Sequence, residues 1–286
     1  MRIIDTHIHI WDFAKARYSW LEGDTSILNR TYSLTELEEG RKNTNVEYGV
    51  LVQAANNFQD TDWMLEVAEK NNWIKGVVGW LPLENPSECK RLLKEKYLQN
   101  PYFNGVRHLI HDEKDSRWLL QDKVLESLQI LSSHDLPFDV VGVLPEHIET
   151  VIEVARKVPA LRMVFDHLNQ PPIQQNLKYG KWGELMIEAS EYSNFYVKIS
   201  GMGTTSGKPN SWGKSEIKDH IEFIFKHFGI ERCFCGGDWP VSLLAGTYSY
   251  SWKQYEVTLR EILNEKELEM VTFGNANRFY NLNLNI

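Results

Sequence analysis

The sequence predicts a single α/β domain, a (β/α)8 TIM barrel that spans residues 1–286. Short runs rich in β-branched or aromatic residues recur eight times, and each run ends in polar or glycine-containing residues. Segments in which apolar residues have helical spacing separate these runs, and no low-complexity linker divides the chain. Strands that alternate with helices in this number are expected of a closed barrel, whereas an open doubly wound sheet usually has fewer strands.

The predicted strands follow one another at intervals that leave room for a helix. In chain order they are Arg2–His7, Val46–Val52, Ile74–Trp80, Phe103–Arg107, Pro137–Val141, Leu161–Asp166, Asn194–Ile199 and Glu231–Cys235. Residues that favour helix starts precede three of the helical segments, namely Asp60 with Thr61, Pro86 with Ser87, and Pro145 with Glu146. The stretch Trp11–Ser33 has no clear periodicity, and a long loop after the first strand of a barrel lies at the face that carries active sites.

Composition disfavours several classes of partner. The chain has 31 Lys and Arg against 39 Asp and Glu, so its net charge of −8 argues against binding nucleic acid. Asp5, His7 and His9 fall where a signal peptide would be apolar, and no run approaches the roughly 18 apolar residues of a membrane span. We therefore expect a cytoplasmic protein with no membrane partner and reduced cysteines. Nothing in the sequence specifies an oligomeric state.

The strongest local signal is the pair His7 and His9 at the end of the first strand. Side chains alternate across a strand, so both imidazoles point toward the barrel mouth while Ile8 points outward. Two imidazoles on rigid backbone form half of a typical Zn²⁺ or Mn²⁺ site. The alternative is a pair of hydrogen-bonded histidines at a polar barrel end.

Asp238 follows two glycines at the end of the eighth strand, which lies beside the first strand in a closed barrel. The sequence therefore places Asp238 opposite His7 and His9, as a third metal ligand or as the base for an attacking water. Capping of the segment that follows Pro240 is the alternative role.

Other strand ends add further candidates. Lys198 points into the barrel near the end of the seventh strand, where it needs a carboxylate, a ligand or water, and Asp238 or Asp166 could pair with it. His167 follows the sixth strand, and Arg107 with His108 follows the fourth. These residues could transfer protons or stabilise an oxyanion. The tryptophans Trp11 and Trp239 could contact a substrate ring, although core packing is the alternative.

These motifs together resemble the amidohydrolase superfamily, of the amidohydrolase 2 type. The ordered set is HxH after the first strand, GVRH after the fourth, DH after the sixth, VKISG in the seventh, GGDWP after the eighth and GNANRFY in the last helix. The resemblance extends from Ile4 to Tyr280. It is greatest to the branch of sugar lactonases such as fuconolactonases and rhamnonolactonases, which is related to the 2-pyrone-4,6-dicarboxylate lactonases.

The resemblance implies a barrel hydrolase that opens a small sugar-derived lactone with an activated water. It supports a catalytic role for Asp238. From the residues themselves we expect His167 and Lys198 to be catalytic as well, and Arg107, His108, Trp11 and Trp239 to contact the substrate. One divalent ion, Zn or Mn, would be held by His7, His9 and Asp238, with His167 as a further candidate. The fifth strand lacks the histidine of many metal-bearing members, which argues against a binuclear site and leaves metal-independent activity open. A pyrone-dicarboxylate lactonase, a decarboxylase and an inactive sugar-binding protein are the alternative functions.

Overall fold

The computed structural model describes residues 1–174 and 178–285, in which eight parallel strands are hydrogen-bonded in chain order. The strands are β1 Ile3–Ile8, β2 Val46–Val52, β3 Ile74–Gly79, β4 Phe103–His108, β5 Phe138–Val140, β6 Met163–Phe165, β7 Phe195–Ile199 and β8 Cys233–Cys235. Every predicted strand is present, although β5, β6 and β8 are two or three residues shorter than predicted, and β3 and β7 are one residue shorter. The predicted (β/α)8 barrel is therefore confirmed.

Most helices lie outside the strands, whereas the last one packs against the apolar barrel interior. They are α1 Leu34–Lys42, α2 Phe58–Lys70, α3 Pro86–Glu95, α4 Asp122–Ser133, α5 Pro145–Lys157, α6 Gly180–Ser190, α7 Met202–Ser206, α8 Lys214–Phe228, α9 Tyr248–Ile262, α10 Glu265–Glu269 and α11 Asn275–Phe279. Two predicted starts, at Pro86 and Pro145, coincide with the observed ones, since proline suits the first helical turn. Helix α2 begins earlier than predicted because Asn57 caps it by accepting from the backbone N–H of Asp60 at 2.9 Å.

Backbone hydrogen bonds close the barrel between β1 and the segment after β8. The N–H of His9 donates to the carbonyl of Trp239 at 2.7 Å, and the N–H of Asp238 donates to the carbonyl of His7 at 2.7 Å. These bonds place the predicted site residues of the first and last strands side by side.

The barrel interior is filled by apolar side chains from the strands and by the end of the chain. Ile4, Val50, Val164 and Phe234 pack against Phe279 and neighbouring residues of the C-terminal segment. This apolar layer lies below the polar residues at the C-terminal ends of the strands. The polar groups at the mouth are therefore held on a densely packed base.

The long stretch after β1 folds back on itself rather than extending into solvent. Trp11 and Tyr32 exchange two backbone hydrogen bonds of 3.1 and 2.9 Å, and residues 19–21 form a single 3₁₀ turn. Within the described part of the chain, no helix combines the length and the hydropathy that a membrane crossing requires. Cys89, Cys233 and Cys235 are all buried free thiols, as predicted.

Candidate active site

A bulge in β1 turns His7 and His9 into the barrel. Ile4 packs inside the barrel, whereas Ile8, four residues later, packs in the outer core between strands and helices. Regular alternation would put these two isoleucines on the same face, but the register with β2 shifts between Asp5 and Ile8. The shift leaves His7 and His9 facing inward and Ile8 facing outward, as the sequence predicted.

Three histidines surround the carboxylate of Asp238. Its Oδ1 lies 3.6 Å from Nε2 of His9, and 3.9 Å from Nε2 of both His7 and His167. The Nε2 atoms of His7 and His9 are 3.1 Å apart. Four potential ligands or proton carriers from three different strand ends therefore converge on one point.

The hydrogen bonds of His9 fix which nitrogen faces this point. Its Nδ1 lies 2.8 Å from the carbonyl oxygen of Val52, which can only accept, so Nδ1 carries the hydrogen. Burial lowers the pKa of His9 to about 3, so the ring is neutral and Nε2 has a free lone pair. The Nε2 atom of His7 lies 3.3 Å from the Arg107 guanidinium, which can only donate, so this nitrogen is an acceptor. The Nε2 atoms of both rings thus face the same space.

These donors suit a divalent cation. Tetrahedral zinc sites, with bonds of about 2.0–2.2 Å, need donor atoms roughly 3.3–3.6 Å apart, close to the separations of 3.1 and 3.6 Å seen around His9. The carbonyl of Val52 orients His9 in the way that second neighbours orient metal-binding imidazoles. Among the described residues, ligand atoms of His7, His167 and Asp238 also lie within 4.8 Å of one another. His167 therefore joins the predicted ligand set as an equal candidate.

Asp238 is held by the seam between β8 and β1. Its backbone is left-handed, with φ of 59°, and its own N–H is bound to His7 as described above. Asp5 supports the same turn by accepting from the N–H groups of His7 at 3.0 Å and Gly237 at 2.7 Å, and from the Tyr248 hydroxyl at 2.7 Å. Burial raises the pKa of Asp238, which makes its carboxylate a stronger base than an exposed aspartate. The cap position of the following 3₁₀ turn, Val241–Leu244, is occupied by Pro240 and not by Asp238.

His167 lies in an unusual stretch of backbone. His167, Leu168, Asn169 and Gln170 all have positive φ, between 51° and 57°. A left-handed conformation costs roughly 1–2 kcal/mol for each residue that has a Cβ, and such strain is concentrated at functional sites. Ser200 holds the imidazole, with its Oγ 2.8 Å from Nδ1, so Nε2 faces Asp238.

A layer of buried charges lies directly beneath these histidines. The Lys198 ammonium is 2.7 Å from Asp139 and 2.8 Å from Asp166, and none of the three side chains is exposed. Asp166 Oδ1 is 3.4 Å from His7 Nδ1. Burial would raise the pKa of Asp166, but Lys198, His7 and Arg107 outweigh it and hold that pKa well below its usual range.

Lys198 therefore pairs with Asp166, which was one of its predicted partners, and with Asp139, which was not. Asp139 also accepts from the Tyr280 hydroxyl at 2.7 Å, and burial raises its pKa to about 6. The structure does not bring Lys198 to the surface of the cavity. It contacts the site through His7, whose Nδ1 lies 3.2 Å from the ammonium.

Arg107 links this charge layer to the cavity. Its Nη1 donates to Asp166 at 3.2 Å, and its Nη2 donates to the carbonyl of Gln53. Arg107 is buried, yet it lines the cavity together with His9, His167 and Asp238. The guanidinium therefore provides fixed positive charge at the base of the site.

The cavity above these residues has a volume of about 230 Å³. That is below the roughly 300–1,000 Å³ of typical sites for drug-sized ligands, so it suits a small ligand. Its lining also includes Trp20, Ala54, Leu109, His111, Val141, Val143, Gln170, Thr204 and Val241. The site is therefore polar at its base and largely apolar on its walls.

The structure does not bring three predicted substrate contacts to this cavity. Trp11 and Trp239 are buried and pack against Tyr32, at ring distances of 5.3 and 5.5 Å. His108 faces away from Arg107 because side chains alternate along β4, and it stacks on Trp118 at 4.1 Å. A polar or aromatic residue near a strand end does not always face the barrel mouth, because side chains alternate along the strand and some of them pack in the core.

Two residues outside the predicted set of site residues, Trp20 and His111, take these places. Trp20, from the long loop, lines the cavity and is fixed by a 2.8 Å hydrogen bond from its indole to the carbonyl of Ala54. His111 lines it as well, with Nδ1 3.2 Å from the carbonyl of Val141. Alternation along β5 could have identified Asp139 as an inward-facing carboxylate for Lys198. No local signal distinguishes Trp20 from Trp11.

Comparison with known proteins agrees with this architecture. Residues 4–282 match the family described as amidohydrolase. The chain is 30% identical to an L-fucono-1,5-lactonase of Burkholderia ambifaria, with 98% of this chain and 95% of that protein covered. It is 24% identical to an L-rhamnono-gamma-lactonase of Scheffersomyces stipitis, with 98% and 99% covered.

A solved structure has the same fold along its whole length. It is an amidohydrolase from Burkholderia multivorans with bound zinc, which superposes with a TM-score of 0.89 at 24% sequence identity and covers 98% of this chain and 99% of that one. The barrel, the converging histidines and aspartate, and the match over nearly all residues lead to one conclusion. The chain belongs to the amidohydrolase family.

Proposed function

We propose that this protein is a hydrolase that opens a sugar-derived aldono-lactone, of the fucono- or rhamnono-lactone type, by attack of an activated water. One observation carries the proposal: the Asp238 carboxylate lies within 4 Å of three neutral histidine rings at the base of a small cavity. The names of the two lactonase relatives support the substrate class.

Asp238 acts as the general base. It takes a proton from a water in the cavity as the water oxygen bonds to the lactone carbonyl carbon. The bond between that carbon and the ring oxygen then breaks, and Asp238 returns the proton to the departing alkoxide. His167 Nε2, 3.9 Å from Asp238 Oδ1, is placed to share this proton. The product is the open aldonic acid, which releases a proton near neutral pH.

Arg107 stabilises the charge that develops on the carbonyl oxygen. Its guanidinium is always charged and is fixed by Asp166 and Gln53, so it needs little reorganisation during the reaction. We assign Lys198 a positioning role, because its contact with the site passes through His7 and not through the substrate. Trp20 and His111 replace Trp11, Trp239 and His108 as the proposed substrate contacts.

His7, His9, Asp238 and His167 are the residues that would hold one divalent ion, Zn²⁺ or Mn²⁺. When bound, such an ion supplies Lewis-acid polarisation of oxygen ligands. In a site that works without metal, the same histidines would bind substrate hydroxyls or carry protons.

A proton-release assay tests the function and the metal together. Purified protein is divided into a chelator-treated portion and portions supplied with zinc or manganese, and each is given a panel of aldono-lactones that begins with six-carbon and 6-deoxy sugars. Turnover that is lost on chelation and restored by metal supports the metal-activated lactonase. Turnover that the chelator does not change supports the lactonase function and shows that the reaction needs no metal ion. Absence of turnover with every lactone contradicts the proposal.

The structure favours this substrate over the dicarboxylate alternative. A dianionic pyrone needs several arginines, and Arg107 is the one arginine among the described residues that line the cavity. Release of carbon dioxide from an aromatic acid would instead identify a decarboxylase.

Three buried free thiols support our further proposal that this single barrel, residues 1–286, works in the cytoplasm.

A further inference from the structure

A second cleft adjoins the catalytic cavity and has no role in the mechanism above. Its volume is about 660 Å³, nearly three times that of the cavity of about 230 Å³. Val143, Gln170, Thr204 and Val241 line both spaces. The catalytic cavity and the cleft are therefore adjacent, and these four residues form the border that they share.

The lining of the cleft suits a neutral polyhydroxylated group. Amide and hydroxyl side chains are present at Gln170, Thr204 and Thr205, and the aromatic rings of Tyr179 and Trp182 lie beside them. Both aromatic polar atoms are already used: the Trp182 indole donates to the carbonyl of Leu168 at 2.8 Å, and the Tyr179 hydroxyl donates to that of Asp219 at 3.3 Å. The Trp182 ring is buried and the Tyr179 ring stacks on Phe223 at 4.3 Å, so contacts with a sugar fall mainly to the polar side chains of Gln170, Thr204 and Thr205.

Charge argues against an ionic occupant. Lys181 is the one charged side chain among the described residues that line the cleft. Its ammonium lies 3.4 Å from Glu149 and 3.9 Å from Glu184, so two carboxylates already offset its charge. A carboxylate or phosphate in the cleft would therefore find no unpaired positive charge to bind among the described residues. A neutral ligand does not need one.

Gln170 stands where the two spaces meet. Its side-chain amide lies 3.1 Å from the Thr205 hydroxyl, which also donates to the carbonyl of Gly201 at 2.9 Å. The backbone at Gln170 is left-handed, with φ of 57°. An amide at that point can donate to or accept from the oxygen of a linkage or of a hydroxyl group next to it.

We propose that the cleft is a subsite for a neutral sugar unit attached to the lactone, so that the preferred substrates are aldono-lactones of disaccharides. This inference rests on the proposed lactonase function and specifies its substrate class. The lactone ring occupies the catalytic cavity, the attached sugar occupies the cleft, and the bonds that form and break are those of the lactone alone.

Two matched substrates test the inference. Glucono-1,5-lactone and cellobiono-1,5-lactone differ by one glucose unit, and a second pair is built on a 6-deoxy lactone with and without a glycosyl group. We expect kcat/KM, corrected for uncatalysed hydrolysis, to be at least about tenfold higher for the disaccharide member of a pair. Equal or higher kcat/KM for the monosaccharide members would overturn the subsite. Absence of turnover with all four lactones would instead overturn the lactonase function itself.

A pair of variants places the effect in the cleft. Leu244 is 40% exposed and lines the cleft but not the catalytic cavity, so Leu244→Trp narrows the cleft alone. Leu98, equally exposed at 40%, lines neither space, so Leu98→Trp is the matched control. We expect Leu244→Trp to lower kcat/KM for disaccharide lactones by about tenfold or more and for monosaccharide lactones by less than about twofold. Equal losses for both substrates, or no loss in either, would overturn the inference.

Discussion

Asp238 combines two properties that a general base needs: it is accessible from the cavity, and its pKa is raised. Burial raises the pKa, and His167, together with the positive charges of Arg107 and Lys198, limits the increase. The neighbouring rings of His7, His9 and His167 stay neutral because burial lowers each of their pKa values. The site therefore holds one carboxylate among neutral acceptors, which suits proton removal from water at neutral pH.

The Asp238→Asn variant tests this role directly. Asparagine keeps the size of the side chain but cannot accept and return a proton, so we expect kcat to fall by about 10²–10⁴-fold. Thermal unfolding should show an unchanged fold, because the bond between the backbone N–H of residue 238 and His7 remains. A variant that keeps wild-type kcat would remove Asp238 from the mechanism.

The loops that follow the strands position these side chains, and glycine permits their close approach. Gly201, just after β7, has φ of 61°, and a Cβ at this position would lie 2.6 Å from His167 Nδ1 and 3.2 Å from Asp238 Oδ2. No larger residue fits here without displacing His167 or Asp238. The long loop after β1 is anchored in a different way, by the hydroxyl of Tyr18, which donates to Asp60 at 2.8 Å.

Gly201→Ala and Gly23→Ala separate steric from conformational effects. Gly23 has φ of 82°, but a Cβ there would meet no atom within 4 Å. Both substitutions should lower the free energy of unfolding by about 1–2 kcal/mol through backbone strain. We expect only Gly201→Ala to lower kcat/KM strongly, since it alone displaces His167. Similar activity losses in both variants, measured beside chemical unfolding curves, would show that strain rather than contact is responsible.

The contribution of Asp60, which binds Tyr18 of the loop after β1, to the stability of the protein depends on pH. Burial raises the pKa of Asp60 from 3.8 to about 6, although Ala54, Ala55 and Tyr18 donate hydrogen bonds to it. Because the folded pKa is the higher one, Asp60 contributes stability that is fully present below pH 3.8 and is lost as the pH rises through about 6.

The Asp60→Asn variant removes this titration and can retain the hydrogen bonds. We expect the stability of the wild type relative to the variant to fall by on the order of 2–3 kcal/mol between pH 4 and pH 7. Urea unfolding of both proteins across that range measures the difference. A difference in the free energy of unfolding that does not change with pH would contradict a raised pKa of Asp60.

The barrel as a whole encloses a balanced set of charges. Four buried charged residues come from four consecutive strands: Arg107 lies on β4, Asp139 on β5, Asp166 directly after β6 and Lys198 on β7. Breaking a buried ion pair from one side costs about 3–5 kcal/mol, because the partner charge is left uncompensated. The packing that forms the barrel interior thus also requires both signs of charge to be present.

Lys198→Met should therefore lower the free energy of unfolding by about 3–5 kcal/mol in urea denaturation. Adding Asp139→Asn removes one uncompensated carboxylate and should restore part of the loss. Lys253→Met is the control, because that side chain is 64% exposed and its nearest carboxylate, on Glu256, is 4.0 Å away. The control should change stability by less than about 0.5 kcal/mol. Equal effects at both lysines would contradict a buried charge network.

The sequence by itself determined the order of the elements and the chemistry at the barrel seam. Eight apolar runs separated by helical spacing specify a barrel, because each run must bury both faces. His7, His9 and Asp238 could be predicted together because closure of a barrel forces the first and last strands to be neighbours. The inward direction of Lys198 followed from alternation along a regular strand.

Only the tertiary structure decided which side chains reach the cavity. Regular alternation within β1 does not predict the bulge that separates the faces of Ile4 and Ile8. The choice of Trp20 over Trp11 depends on how a long loop without periodicity folds onto Ala54. Asp139 became a partner of Lys198 through contacts across two strands and with the C-terminal Tyr280. Such choices arise from packing between residues distant in sequence, which no local pattern records.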